Sequence, residues 1–175
     1  MKKYIALLRG INVSGQKKIK MAELKETLAS AGLQNVQTYI QSGNVIFESE
    51  ESSEEAANRI EGAIYKAYNF DVPTLVFEQN YLQNVIDQNP FLSKVDDPKK
   101  LYAIFLYDDL TQEGLDRLAS AELGGDEYAI VDGVVYTCYH NGMGKAKMDI
   151  NFIEKKLMVR ATSRNWRTVN LLSQH

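Results

Sequence analysis

One order of elements occurs twice along this chain, and that repetition constrains the fold more than any single motif. In the first half, residues 4–8 form an apolar run, and Met21, Leu24, Leu28 and Ala31 then recur at helical spacing until Gly32. Residues 36–40 and 45–47 read as strands around the turn Ser42-Gly43-Asn44. A capping box, Ser52 with Glu55, opens a second helix whose buried stripe is Ala56, Ile60, Ala63, Ile64 and Ala67, and residues 74–77 close the set. The second half repeats the order: a strand at 101–107, a helix capped by Thr111 and carrying Leu115 and Leu118, strands at 128–131 and 134–139 around Asp132-Gly133, a helix around Ile150, Ile153 and Leu157, and a strand at 159–162. Leu24 corresponds to Leu115 and Gly43 to Gly133, at offsets of 91 and 90 positions.

The expected fold class is therefore α/β (α+β): two tandem ferredoxin-like βαββαβ repeats with antiparallel sheets, plus a linking helix and a C-terminal helix. Residues 1–78 form the first repeat and 79–98 the linking helix, which ends at Asn89-Pro90 because the residue before proline avoids helical angles. Residues 99–175 form the second repeat, with the terminal helix at 164–173. Two helices cover one face of each sheet, so the other face needs a cover, supplied either by joining the repeats or by a homo-oligomer.

With 175 residues, 45% of them hydrophobic, the chain can bury a core for one domain or two small ones. Its only cysteine, Cys138, excludes an intrachain disulfide. No signal-like segment or membrane-length apolar run is present, so the expected location is cytoplasmic, with no membrane partner. A net charge of −3 excludes a globally basic nucleic-acid binder, yet the basic residues cluster.

Arg9, Lys17, Lys18, Lys20 and Lys25 form one cluster, and Lys145, Lys147, Lys155, Lys156, Arg160, Arg164 and Arg167 the other. The loop at 9–18 resembles a phosphate loop but fails the Walker pattern: Gln16 stands at the lysine position and Lys18 replaces the hydroxyl that would hold magnesium. Strands one and two of such a unit run toward the same end, which brings Arg9, Gly10, Asn12, Lys17 and Lys18 near Gln41, Ser42 and Asn44. Amide, hydroxyl and cationic groups there suit an anionic ligand. In the second repeat the loop carrying Lys145 and Lys147 should meet the exit of the last strand at Arg164, Asn165 and Arg167, where a helix N-terminus and bidentate arginines also suit phosphate or carboxylate. Ser163 is the expected cap of the terminal helix.

Catalytic chemistry is not legible. His140 and His175 are the only histidines, no metal cluster is visible, Cys138 shares a strand face with Tyr136 and His140, and no nucleophile elbow is present. No cofactor is implied.

Three segments, Arg9-Gly10-Ile11-Asn12-Val13, Thr38-Tyr39-Ile40-Gln41-Ser42-Gly43-Asn44-Val45 and Thr162-Ser163-Arg164-Asn165-Trp166-Arg167-Thr168, together resemble the bacterial family of domain of unknown function 1697. The resemblance spans nearly the whole chain. It implies a double ferredoxin-like fold and no established reaction, cofactor or catalytic residue. Ala146 and Ser14 depart from the family's pattern, which has serine and glycine there. The expected function is a binding module for an anionic ligand, a phosphorylated small molecule or nucleic acid. The alternatives are an enzyme acting on a phosphorylated or carboxylated metabolite and a homo-oligomeric interaction protein.

Overall fold

A computed structural model describes residues 1–175. The chain is a mixed α/β protein with two four-stranded antiparallel sheets and six helices. It divides into two compact units, Met1–Tyr81 together with His175, and Leu82–Gln174.

In the N-terminal unit the order is β1 (Lys2–Leu8), α1 (Met21–Ser30), β2 (Gln34–Tyr39), β3 (Asn44–Ser49), α2 (Ser53–Tyr68) and β4 (Thr74–Glu78), with sheet order β2-β3-β1-β4. Central β1 pairs Ala6 with Val45 of β3 on one side and with Val76 of β4 on the other. Alternation along β1 sends Tyr4, Ala6 and Leu8 into a core with Leu24, Leu28, Ile60 and Ile64 of the helices. Ile5 and Leu7, on the opposite face, are also fully buried. Both faces of the central strand are thus covered, which accounts for its unbroken apolar run.

The helix boundaries follow their chemistry. Ser52 Oγ accepts the Glu55 amide while the Glu55 carboxylate accepts the Ser52 amide, the reciprocal box that the sequence predicts. These bonds, backbone first, hold the Glu55 carboxyl below the usual range. The neighbouring Glu51 carboxyl is lowered in the same sense by its hydrogen bond from Arg59. Asn69, in the left-handed region, ends α2.

The C-terminal unit contains α3 (Tyr81–Asp87), which begins at the boundary, then β5 (Leu101–Leu106), α4 (Gln112–Ala119), β6 (Glu127–Val131), β7 (Val134–Cys138), α5 (Ile150–Leu157), β8 (Ala161–Asn165) and α6 (Trp166–Ser173); its sheet order is β6-β7-β5-β8. Ile104, Val135, Ile153 and Leu157 share a core with α4 and α5. Gly114 lets those two helices approach: a Cβ there would lie 2.4 Å from the Leu157 carbonyl oxygen. On the other sheet face the Tyr136 hydroxyl donates to the Val85 carbonyl of α3 at 2.7 Å, and its ring lies beside Trp166. Thr111 caps α4 as expected. The last strand and helix differ from expectation: β8 runs on to Asn165, α6 starts at Trp166, and the cap is Asn165, whose Oδ1 accepts the Thr168 amide at 2.9 Å, in place of Ser163. Antiparallel pairing of Tyr102 with Asn165 holds these residues extended. No helix is long and apolar enough to cross a membrane.

Gly43 carries the tightest steric requirement of the N-terminal turn. Its φ is +89°, and a Cβ would fall 2.7 Å from Ile11 Cδ1 and 2.8 Å from Leu8 Cβ. Gly133 has a similar φ of +78° with nothing within 4 Å of such a Cβ. Gly43→Ala should cost about 2–4 kcal/mol, combining strain with overpacking, and Gly133→Ala about 1 kcal/mol from strain alone. Urea unfolding of the two variants checks this; equal losses would contradict it.

Candidate functional site

The antiparallel order puts the exits of β1 and β2 at one end of the N-terminal unit. Leu8 donates its amide to the Gly43 carbonyl at 2.9 Å, so the β1–α1 loop starts beside the β2–β3 turn. The loop then folds on itself. Val13 and Gln16 form an isolated antiparallel bridge around Ser14 (φ +51°) and Gly15 (φ +74°), a two-residue turn of the primed type.

Asn12 joins loop and turn. Its Nδ2 donates to the Ile19 carbonyl at 3.0 Å and to the Gln41 carbonyl at 2.8 Å, while its Oδ1 accepts the Ile19 amide at 2.9 Å. Its backbone amide donates to the Lys17 carbonyl. Both ends of the side-chain amide are consumed by the fold, so Asn12 shapes the site rather than offering a free ligand group. Its φ of +54° is one asparagine tolerates.

Asn44 has a similar structural part. It is fully buried, and its Nδ2 donates to the Tyr39 carbonyl at 2.8 Å and to Ser42 Oγ at 3.1 Å. Lys17 Nζ donates to the Asp71 carbonyl, and the half-buried Arg9 donates its backbone amide to the Pro73 carbonyl. Gly10, at φ +75°, has open space where a Cβ would stand.

What remains open to solvent is a groove of about 400 Å³ lined by Asn12, Gly15, Lys18, Ile19, Lys20, Glu23 and Gln41. Lys18, Lys20 and the Gln41 side chain are exposed along it. Glu23 is the one acid, and it lies 3.8 Å from Lys20 Nζ. The first turn of α1 forms part of the wall. Lys20 is its N-cap and supplies no side-chain acceptor, unlike Ser52, Thr111, Asp149 and Asn165 at the other long helices. Helix amides left without a side-chain cap favour an anion. Ile40, a β-branched residue at φ +50° and 44% exposed, sits in the adjoining turn, and such strain is tolerated only where neighbouring structure enforces it. A larger groove of about 690 Å³ lies along α1 and α2, but its charges are mixed, Glu23 and Glu26 with Lys66, so its size does not make it the better anion site.

The C-terminal residues are not gathered in the same way. The β7 exit and the β8 exit do share an end, since Thr137 and Asn165 both pair with Tyr102. Arg164, however, lies inside the strand and is 4% exposed; Nη1 donates to Thr162 Oγ1 at 2.6 Å and to the Ser163 carbonyl at 2.9 Å. Burial pushes its guanidinium down to about 10, still cationic at neutral pH. Asn165 is engaged as a helix cap. Lys147 Nζ lies 3.7 Å from the Glu122 carboxylate, while Lys145 and Arg167 are exposed.

One constellation at this end goes beyond the sequence reading. Glu127 of β6 is paired with Cys138 of β7, and His140 follows two residues later; the three offer ligand atoms within 4.8 Å of one another. Cross-strand register, which no local motif reveals, creates this proximity. Burial, then the Glu127 and Asp126 carboxylates, push the Cys138 thiol up, and Lys100 acts in the opposite sense.

The family model described as "Protein of unknown function (DUF1697)" matches residues 1–136. The chain is similar in structure to the conserved bacterial protein SP0830 from Streptococcus pneumoniae, with a TM-score of 0.75 and 23% identity over 99% of this chain and 97% of that one. That likeness concerns the fold. None of the curated proteins matches the chain.

Removing the Asn12 side chain tests its role as clamp. Asn12→Gly keeps the left-handed backbone and deletes three hydrogen bonds, so stability should fall by about 2 kcal/mol or more. Exchange of the Ile19 amide should accelerate selectively. An unchanged exchange rate would contradict the clamp.

Proposed function

The chain belongs to the DUF1697 family of proteins of unknown function, and from that premise we propose that it is a binding module whose N-terminal unit holds a phosphorylated small molecule in the groove beside α1. One observation carries the reading: Lys18 and Lys20 line the same groove as a helix first turn whose N-cap lacks a side-chain acceptor. Positive side chains and helix amides there act on one anion, and each favours negative charge. Pinning by Asn12 organises the loop before a ligand arrives, which lowers the ordering cost of binding.

Size and burial favour a small ligand over a nucleic-acid strand. The groove of about 400 Å³ falls in the range of small-molecule sites. Sheet-based recognition of single-stranded RNA needs an open face on which bases stack, whereas Ile5 and Leu7 of central β1 are fully buried on the face away from the helices. The strand orders support taking the units as tandem ferredoxin-like repeats, residues 1–78 and 99–175, about the segment 79–98.

Thermal unfolding with a panel of inorganic phosphate, pyrophosphate, nucleoside monophosphates and sugar phosphates tests the proposal. A member at 100 times its dissociation constant should stabilise the protein by about 2.7 kcal/mol. Lys18→Glu with Lys20→Glu should abolish the effect, and Lys145→Glu with Lys147→Glu should leave it intact. Stabilisation that survives the first pair, or no stabilisation by any member, contradicts the assignment.

A further inference from the structure

The geometry points to a metal-binding site in the C-terminal unit, in which Glu127, Cys138 and His140 hold a divalent cation of zinc's class. His140 Nε2 lies 2.8 Å from Glu127 Oε2, and Cys138 Sγ lies 3.9 Å from each ring nitrogen of His140. Thiolate, imidazole and carboxylate donors bind zinc at about 2.3, 2.0–2.1 and 2.0–2.2 Å, which sets tetrahedral ligand atoms about 3.3–3.8 Å apart. The three groups offer ligand atoms within 4.8 Å of one another, with the His–Glu pair closer than the tetrahedral spacing and the sulfur just beyond it from the ring. Binding would open the His–Glu distance and close the Cys–His distance by rotation of the side chains, turning a ring-nitrogen lone pair toward the shared ion, because Sγ is equidistant from the two ring nitrogens.

The backbone holds these groups in place. Glu127 and Cys138 are opposed partners in the β6–β7 ladder, so register sets their separation. His140, just past the end of β7, is tied down by its amide, which donates to Asp126 Oδ1 at 2.9 Å. Asp126 thus adds a second carboxylate to the surroundings of a cation while it fixes the histidine. Cys138 is fully buried, whereas the side chains of His140 and Glu127 are 41% and 56% exposed. The sulfur forms the floor and the other two form the rim, leaving solvent a path to the ion.

The donor set selects the class of ion. Hard cations such as magnesium and calcium prefer oxygen alone, while one sulfur, one nitrogen and one oxygen suit a borderline ion. A half-exposed histidine–glutamate pair by itself contributes little to stability. The thiol, at 3.9 Å, is a poor hydrogen-bond partner for the ring, and a shared cation uses all three groups at once. With three protein ligands, water takes the fourth position, the coordination of an exchangeable rather than closed site.

The test uses the full chain, with any affinity tag removed and metal stripped by chelator. Zinc titration by calorimetry should give one ion per chain. Cobalt substitution should give the thiolate charge-transfer band and the intense visible absorption of a four-coordinate ion. Cys138→Ser should abolish the charge-transfer band. His140→Asn and Glu127→Gln, at exposed positions where apo folding is checked by circular dichroism, should each weaken zinc by about tenfold or more. His175→Asn should have no effect. Absence of saturable one-to-one binding, or affinity and spectrum unchanged in the Cys138, His140 and Glu127 variants, overturns the assignment.

Discussion

Antiparallel pairing on both sides of the first strand of each unit is the constraint from which the other features follow. With β1 held between β3 and β4, its exit and that of β2 come to the same end, which brings the β1–α1 loop to the β2–β3 turn. Ladder hydrogen bonds fix that register, and burial of both faces of β1 makes a one-residue slip costly because every side chain would move to the opposite face. The groove beside α1 is therefore a product of topology before it is a product of any loop residue.

Asn12 turns this topology into a defined surface. A twelve-residue loop, residues 9–20, with positive φ at Gly10, Asn12, Ser14, Gly15 and Lys17 would be expected to sample many shapes. Three side-chain hydrogen bonds from one residue, reaching both Ile19 and Gln41, remove much of that freedom. The same strand order is built with different chemistry in the C-terminal unit. There, the end at which β5 begins gathers Glu127, Cys138 and His140, while Arg164 is committed to the interior of β8. One topology thus offers cationic groups at the exit of its first strand in one unit and mixed donors at the entry in the other.

Much of the fold was legible because local chemistry and tertiary structure agree. The Ser52–Glu55 box, the Thr111 cap and the Asp132-Gly133 turn all lie where residue types alone place them. Legibility failed where long-range pairing decides. Ser163 and Asn165 are both good caps, and only the pairing of Tyr102 with Asn165 carries β8 three residues past 162 and makes Asn165 the cap. Arg164 reads as a surface cation, yet strand alternation turns it inward. Asn12 and Asn44 read as ligand groups, yet their amides are used by backbone carbonyls that the fold brings within reach. The proximity of Glu127 to Cys138 depends wholly on register. By contrast, the exposed Lys18 and Gln41 do line one groove, as the shared exits of strands one and two require.

Where an anion is held on the N-terminal unit decides between a binding groove and a merely structural loop. Amide chemical-shift mapping with pyrophosphate, followed at fixed ionic strength on the labelled full chain, measures it. A ligand in the groove beside α1 should give saturable shifts concentrated at Gly15, Lys18, Ile19, Lys20, Ala22 and Gln41, with the C-terminal unit unmoved. Saturable shifts centred instead on residues 141–147 and Arg167, or no saturable shifts at all, would contradict binding there.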